Sequence, residues 1–185
     1  MAPQSMDQLI EGYFLATTKA IGTLFRDNLL PHSLVIMYST IDACGLLGAP
    51  ANQSTATSKS FKEWVRKYVL TFPGLEFNEV DLWSARCGVL HTFTSESDLS
   101  ASGKARQLHY YTGDKSAPHI QTFIAFTKTH EGGTHLPVHY GDLAESILGG
   151  MKAFIPNLAA SCTASPAHLA RLQRVMQTYS HEAAP

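Results

Sequence analysis

Hydrophobic positions recur at helical spacing through the first half of the chain. Ser5 can cap a first helix in which apolar residues return every three or four positions until Pro31. The next segment is apolar almost all round, which predicts a central helix capped by Ser33. A shorter amphipathic helix follows, and Asn78 can cap a fourth. The pattern therefore predicts a four-helix bundle over about residues 5–94.

The pattern changes after a serine-rich stretch that follows the fourth predicted helix. Two segments, RQLHYYTGD and IQTFIAFTKTH, are rich in Tyr, Phe, Thr and Ile, and turn-forming residues separate them. This composition is typical of β-strands. We therefore predict a loop and a β-hairpin within about residues 95–140.

Helical spacing returns near the end of the chain. Asp142 can cap one helix, and Ser165 with Pro166 can open another, so two C-terminal helices are predicted over about residues 142–181. A chain of 185 residues is long enough for one well-buried core. We expect a single, mainly α domain, residues 1–185, with the hairpin inserted before its two last helices.

Composition narrows the possible partners and compartments. The formal net charge of -1 gives no overall attraction to nucleic acid, so any RNA contact must rest on a local basic patch. The cysteines Cys44, Cys87 and Cys162 are odd in number and widely spaced, which suits neither a disulfide framework nor a zinc motif. Without a signal-like start or a long apolar run, the sequence predicts a cytoplasmic protein that binds no membrane.

The segment DLWSARCGVLHTF carries the most informative polar residues. Arg86 shares a predicted helix face with Leu82 and Leu90, so its guanidinium points toward packing and needs a carboxylate or phosphate nearby. Asp42, in the most apolar helix, is an available partner. One hypothesis is therefore a non-catalytic helical module, a binding or scaffold protein, in which the Arg86 and Asp42 pair is structural.

The run Arg-Cys-Gly-Val-Leu-His near a helix end resembles the HEPN superfamily, whose signature is an arginine followed shortly by a histidine. The resemblance implies a HEPN-like helical fold and metal-independent RNA cleavage of a toxin, defence or RNA-processing type. It implies that His91 accepts the proton of the ribose hydroxyl and that Arg86 stabilises the charged phosphate. Members often carry Asn or Asp after the arginine, where this chain has Cys87.

The same resemblance implies a homodimer, because HEPN motif residues of two protomers meet at a symmetric interface. Geometry agrees, since Arg86 and His91 are five residues apart and so about 140° apart around a helix. The pair is therefore not expected to converge within one protomer. RNA and a protein antitoxin or other partner are further possible ligands. The candidate contacts for RNA phosphates are Lys62, Arg66, Lys104 and Arg106.

A second polar cluster comprises His130, His135 and His139 with Glu131 and Asp142. Its HEGGTH segment is one residue too long for the zinc motif His-Glu-x-x-His, and the glycine pair breaks the helix that this motif needs. Loop histidines are usually solvated or cap local turns. We therefore expect no cofactor and no resident metal.

Overall fold

The structure is a computed structural model that describes residues 5–175. Within this range the chain is mainly helical and contains one small sheet. In chain order the elements are α1 (Met6–Arg26), α2 (Leu30–Leu47), α3 (Ser58–Trp64) continued by a π-helical segment (Val65–Val69), α4 (Glu79–Thr92), α5 (Asp98–Ala101), β1 (Gln107–Tyr111), α6 (Pro118–Thr129) followed by a 3-10 turn (His130–Gly133), β2 (His135–His139), α7 (Tyr140–Ala164) and α8 (Pro166–Leu172).

The four predicted N-terminal helices are confirmed, with one change of boundary. Ser5 caps α1, and the Asn78 side chain accepts hydrogen bonds from the first turn of α4. Ser33 does not cap α2, because Pro31 already lies in the first turn of that helix. Ser33 is instead buried inside α2, and its hydroxyl donates to the Ile21 carbonyl at 3.4 Å.

Helix α2 lies at the centre of the core, as its uniformly apolar sequence predicts. It contacts α1, α3, α4 and α7, and Met37, Tyr38, Ile41 and Cys44 are fully buried. By length and composition alone, Leu30–Leu47 would also pass as a membrane span, but half of it is buried inside the fold. Asp42 therefore stands in a helix that offers little contact with water.

The predicted β-hairpin is wrong, because the second of its two segments is a helix. IQTFIAFTKTH belongs largely to α6, which begins at Pro118 and turns Ile120, Phe123 and Ile124 toward the fold. The partner of β1 is β2, and the two strands are parallel. Parallel strands need a crossover, which α6 provides in a β-α-β unit.

The small sheet has one apolar and one polar face. Leu108 pairs with Leu136 and Tyr110 with Val138, and these side chains pack against the helical core. On the opposite face lie His109, Tyr111, His135 and His139, on the side where α6 packs. The β-α-β unit therefore holds several histidines on the side of its sheet that faces away from the helical core and toward α6.

Two further helices follow the sheet, as predicted. The cap of α7 is His139, whose Nδ1 accepts from the Asp142 amide at 3.3 Å, so Asp142 lies in the first turn and is not the cap. Ser165 and Pro166 open α8 as predicted. The predicted extension of this helix beyond residue 175 lies outside the described residues.

Candidate functional site

The predicted contact between Arg86 and Asp42 is confirmed. Arg86 Nε and Nη2 lie 2.8 Å and 2.7 Å from the same oxygen, Oδ2 of Asp42, and the two side chains are only 19% and 15% exposed. The Trp83 ring lies 5.1 Å from the guanidinium carbon. Burial raises the pKa of Asp42, and the hydrogen bonds and charge of Arg86 only partly offset that rise.

Arg86 also reaches His91, contrary to the expectation that one helix keeps the two residues apart. Arg86 Nη1 lies 3.3 Å from His91 Nε2 within a single protomer. The long arginine side chain spans the angular separation. His91 lies in the last turn of α4, and the C-cap residue Phe93 has a left-handed backbone conformation. Because a guanidinium only donates, Nε2 of His91 is the acceptor in this hydrogen bond.

His91 lines an open cleft of about 470 Å³. The cleft is lined by Cys87, Gly88, His91, Thr92, Thr94, Glu96, Ser97, Asp98 and Ala101. A side chain at Gly88 would lie 2.5 Å from the Glu96 carbonyl oxygen and 2.8 Å from that of Thr94. The glycine within the Arg-to-His motif therefore lets the 94–96 loop lie directly on α4 and form the cleft wall.

An apolar hollow of about 170 Å³ adjoins the end of α4. It is lined by Pro31, Leu34, Val89, Phe93, Thr94, Ser95 and Tyr110. Phe93 is 56% exposed although it follows the helix that carries the motif. The His91 region thus combines an open cleft with exposed apolar surface.

The candidate RNA-binding residues do not gather around His91. Arg106 holds Asp81, with Nη2 at 2.6 Å from Oδ2, and Asp81 is buried near the start of α4. Arg66 pairs with Glu79, also at that end, at 3.0 Å. Asp81 and His91 are ten residues apart, which is about 15 Å along a helix. Arg106 therefore serves as a structural clamp in this fold.

The two candidate lysines, Lys62 and Lys104, form no ion pair within residues 5–175. Lys62 is half-buried on α3, and Lys104 is exposed between α5 and β1. Helix α5 contributes Asp98 and Ala101 to the cleft wall, so Lys104 follows the cleft closely in sequence. It is the candidate phosphate contact that this arrangement best supports.

The predicted histidine cluster is partly correct in its membership. His130 and His135 have ring centres 4.6 Å apart, and Glu131 lies beside both. His139 lies four residues after His135 on β2 and is therefore about 13 Å from it. Its ring is paired with Asp142 instead. His109, which the sequence pattern did not mark as part of the cluster, has its Nε2 2.6 Å from His135 Nδ1. The strand pattern around His109 is clear in the sequence, but its partner is β2 and not the predicted second hairpin strand.

Comparisons of the chain with protein-family models, curated proteins and solved structures found no match.

Proposed function

We propose that the protein is a metal-independent endoribonuclease that uses Arg86 and His91. The observation that carries this proposal is the series of hydrogen bonds from Asp42 through Arg86 to His91, which lines an open cleft. Asp42 holds one edge of the guanidinium, so the opposite edge is fixed beside the imidazole. A positioned cation next to an imidazole that can accept a proton is what RNA cleavage without a metal requires.

Arg86 retains donors for a substrate phosphate. A guanidinium has five N–H groups, and its contacts with Asp42 and His91 use three of them among the described residues. One N–H on each terminal nitrogen is left for phosphate oxygens. Such charge-assisted bonds strengthen as negative charge develops in the transition state.

Substrate binding would also free the base. In the unbound protein the lone pair of His91 Nε2 accepts from Arg86. A phosphate that takes over this Nη1 donor leaves Nε2 able to accept the proton of the ribose 2′-hydroxyl. The 2′-oxygen then attacks phosphorus, the bond from phosphorus to the 5′-oxygen breaks, and the products are a 2′,3′-cyclic phosphate and a 5′-hydroxyl.

The departing 5′-oxygen needs a proton, and a second protomer can supply it. We propose a homodimer in which the partner copy brings its own histidine motif to the cleft as the general acid. Support comes from the exposed Phe93 and the adjoining apolar hollow, since exposed apolar surface beside a site favours association. Sedimentation at micromolar concentration tests the dimer, and a monomer there would require another proton donor.

The decisive experiment is cleavage of single-stranded RNA by purified protein in the presence of a chelator. We expect the His91→Ala protein to be inactive yet folded, because His91 is exposed at a helix end. His119→Ala is the matched control, since His119 is also exposed but lies on α6. Activity should fall as salt rises. Cleavage at full rate by His91→Ala would assign the activity elsewhere.

The second candidate function is a non-catalytic helical binding module, and the burial of the Arg86 and Asp42 pair favours it. A half-buried charged pair that joins two core helices is sufficient reason for an arginine at this position. In that case the wild-type protein cleaves no RNA, while the loss of Arg86 still destabilises the fold. With the ribonuclease function we also propose that the protein is cytoplasmic and that it has an antitoxin-like protein partner.

A further inference from the structure

Four potential metal ligands meet on the outer face of the β-α-β unit, and the proposed RNA chemistry uses none of them. His109 comes from β1, His130 and Glu131 from the turn after α6, and His135 from β2. His130, Glu131 and His135 each offer one ligand atom, and these atoms all lie within 4.8 Å of one another. Residues from separate segments thus converge on one point of the surface.

We propose that His130, Glu131 and His135 bind one divalent transition-metal ion of the zinc type, with His109 as the residue that positions His135. Two imidazoles and a carboxylate are a ligand set that zinc uses where a fourth position stays open. Imidazole also suits copper and nickel, whereas magnesium and calcium prefer all-oxygen sites. The expectation of no metal followed from the spacing and the glycine pair of HEGGTH and from the usual solvation of loop histidines, and it did not include His109.

His135 is already oriented for this role. It is nearly buried, its Nδ1 lies 2.6 Å from His109 Nε2, and its Nε2 lies 3.4 Å from a Glu131 carboxylate oxygen. A metal-binding histidine commonly uses one ring nitrogen for the ion and donates from the other to a fixed acceptor. With an ion bound, His109 Nε2 would supply that acceptor for Nδ1 of His135, and Nε2 of His135, on the side of Glu131, would be the ligand atom.

The turn after α6 holds Glu131 in an unusual conformation between the two histidines. Glu131 has φ 44° and ψ 45°, and Gly132 and Gly133 follow with φ of 71° and 88°. A left-handed conformation is uncommon for a residue with a side chain, and such residues concentrate at functional sites. Here it brings the carboxylate to 3.8 Å from His130 Nε2 and 3.4 Å from His135 Nε2.

Binding requires a small contraction of the cluster. With metal bonds of about 2.1 Å, two ligand atoms of one ion lie at most about 4.2 Å apart. The side chains of His130 and Glu131 are 42% and 70% exposed, so they are free to close on the anchored His135. The ion would then tie the turn to β2.

Calorimetric titration of the chelator-treated full-length protein with Zn²⁺ tests the site, and Co²⁺ absorption reports its geometry. We expect one ion per chain, and His130→Ala or Glu131→Gln should lower the affinity at least tenfold. Both residues are exposed, so these variants should fold, which circular dichroism verifies. His119→Ala is the matched control and should bind Zn²⁺ as the wild type does, because His119 lies in the first turn of α6, about 16 Å from His130.

The role of His109 has its own test. His109→Phe should weaken Zn²⁺ binding by about ten- to a hundredfold, as losses of such supporting partners do. His109→Gln retains a hydrogen-bond acceptor and should restore part of the affinity. The proposal is overturned if the wild type binds no Zn²⁺ saturably, or if His130→Ala and Glu131→Gln both leave the affinity unchanged. RNA cleavage by His130→Ala should persist, because the two sites are independent.

Discussion

Replacement of Arg86 by Met tests whether the pair with Asp42 stabilises the fold, and the geometry sets the expected size. Two guanidinium nitrogens contact one carboxylate oxygen, and both side chains are less than one fifth exposed. Met fills much of the volume but leaves Asp42 without its cation. Breaking a buried pair costs about 3–5 kcal/mol. Because both side chains retain some contact with water, we expect the lower end, a loss of about 3 kcal/mol in the free energy of unfolding.

Equilibrium unfolding in urea, followed by circular dichroism, measures this loss. Arg26→Met, at the exposed end of α1, is the matched control and should change the free energy of unfolding by no more than about 0.5 kcal/mol. The double variant with Asp42→Asn and Arg86→Met leaves no uncompensated charge, so it should lose at least about 1 kcal/mol less than the sum of the single variants. An Arg86→Met protein as stable as the control would refute the argument.

Three further predictions follow from buried polar groups and close packing. Tyr38 and Tyr110 share a hydrogen bond, and burial raises the pKa of both hydroxyl groups above that of a free tyrosine. The unfolded chain ionises first, so the stability that the two neutral tyrosines contribute should be intact below about pH 10 and lost as the pH rises above it. Melting temperatures across alkaline pH measure this, and stability independent of pH there would contradict it. Gly88→Ala should cost about 1–3 kcal/mol and reduce any RNA cleavage, because the new methyl group meets the 94–96 backbone. In Gly22→Ala, where nothing lies nearby, stability should rise by about 0.5–1 kcal/mol. Arg106→Met should destabilise the fold by about 3 kcal/mol or more without weakening RNA affinity per folded molecule; urea unfolding and RNA titration separate the two effects.

Local sequence signals predict the helical part of this fold well, and one compositional signal misleads. Ser5 and Asn78 cap their helices as expected because capping depends on a few neighbouring residues. The segment after Pro118 is rich in Ile, Phe and Thr, which favours strands, yet its apolar residues Ile120, Phe123 and Ile124 follow helical spacing. Here periodicity was the better guide to structure than composition.

The two polar sites differ in how far sequence can predict them. Arg86 and Asp42 each lie in an apolar helical pattern, and the high cost of burying an isolated charge predicts that they meet. The contact between His109 and His135 has no such local cause. It depends on the parallel register that sets Gln107 opposite His135, which only the crossover through α6 brings about.

Arg86 bonds to both Asp42 and His91, so a substitution at Arg86 cannot separate an effect on stability from an effect on catalysis. Loss of its guanidinium removes a core ion pair and the proposed phosphate donor together, so lost activity could reflect unfolding alone. His91 is the exposed last residue of this series of hydrogen bonds, and it forms no ion pair among residues 5–175. We therefore expect His91→Ala to keep the stability of the fold and lose RNA cleavage, and Arg86→Met to lose both. That result would assign a catalytic role to His91 and both a structural and a catalytic role to Arg86.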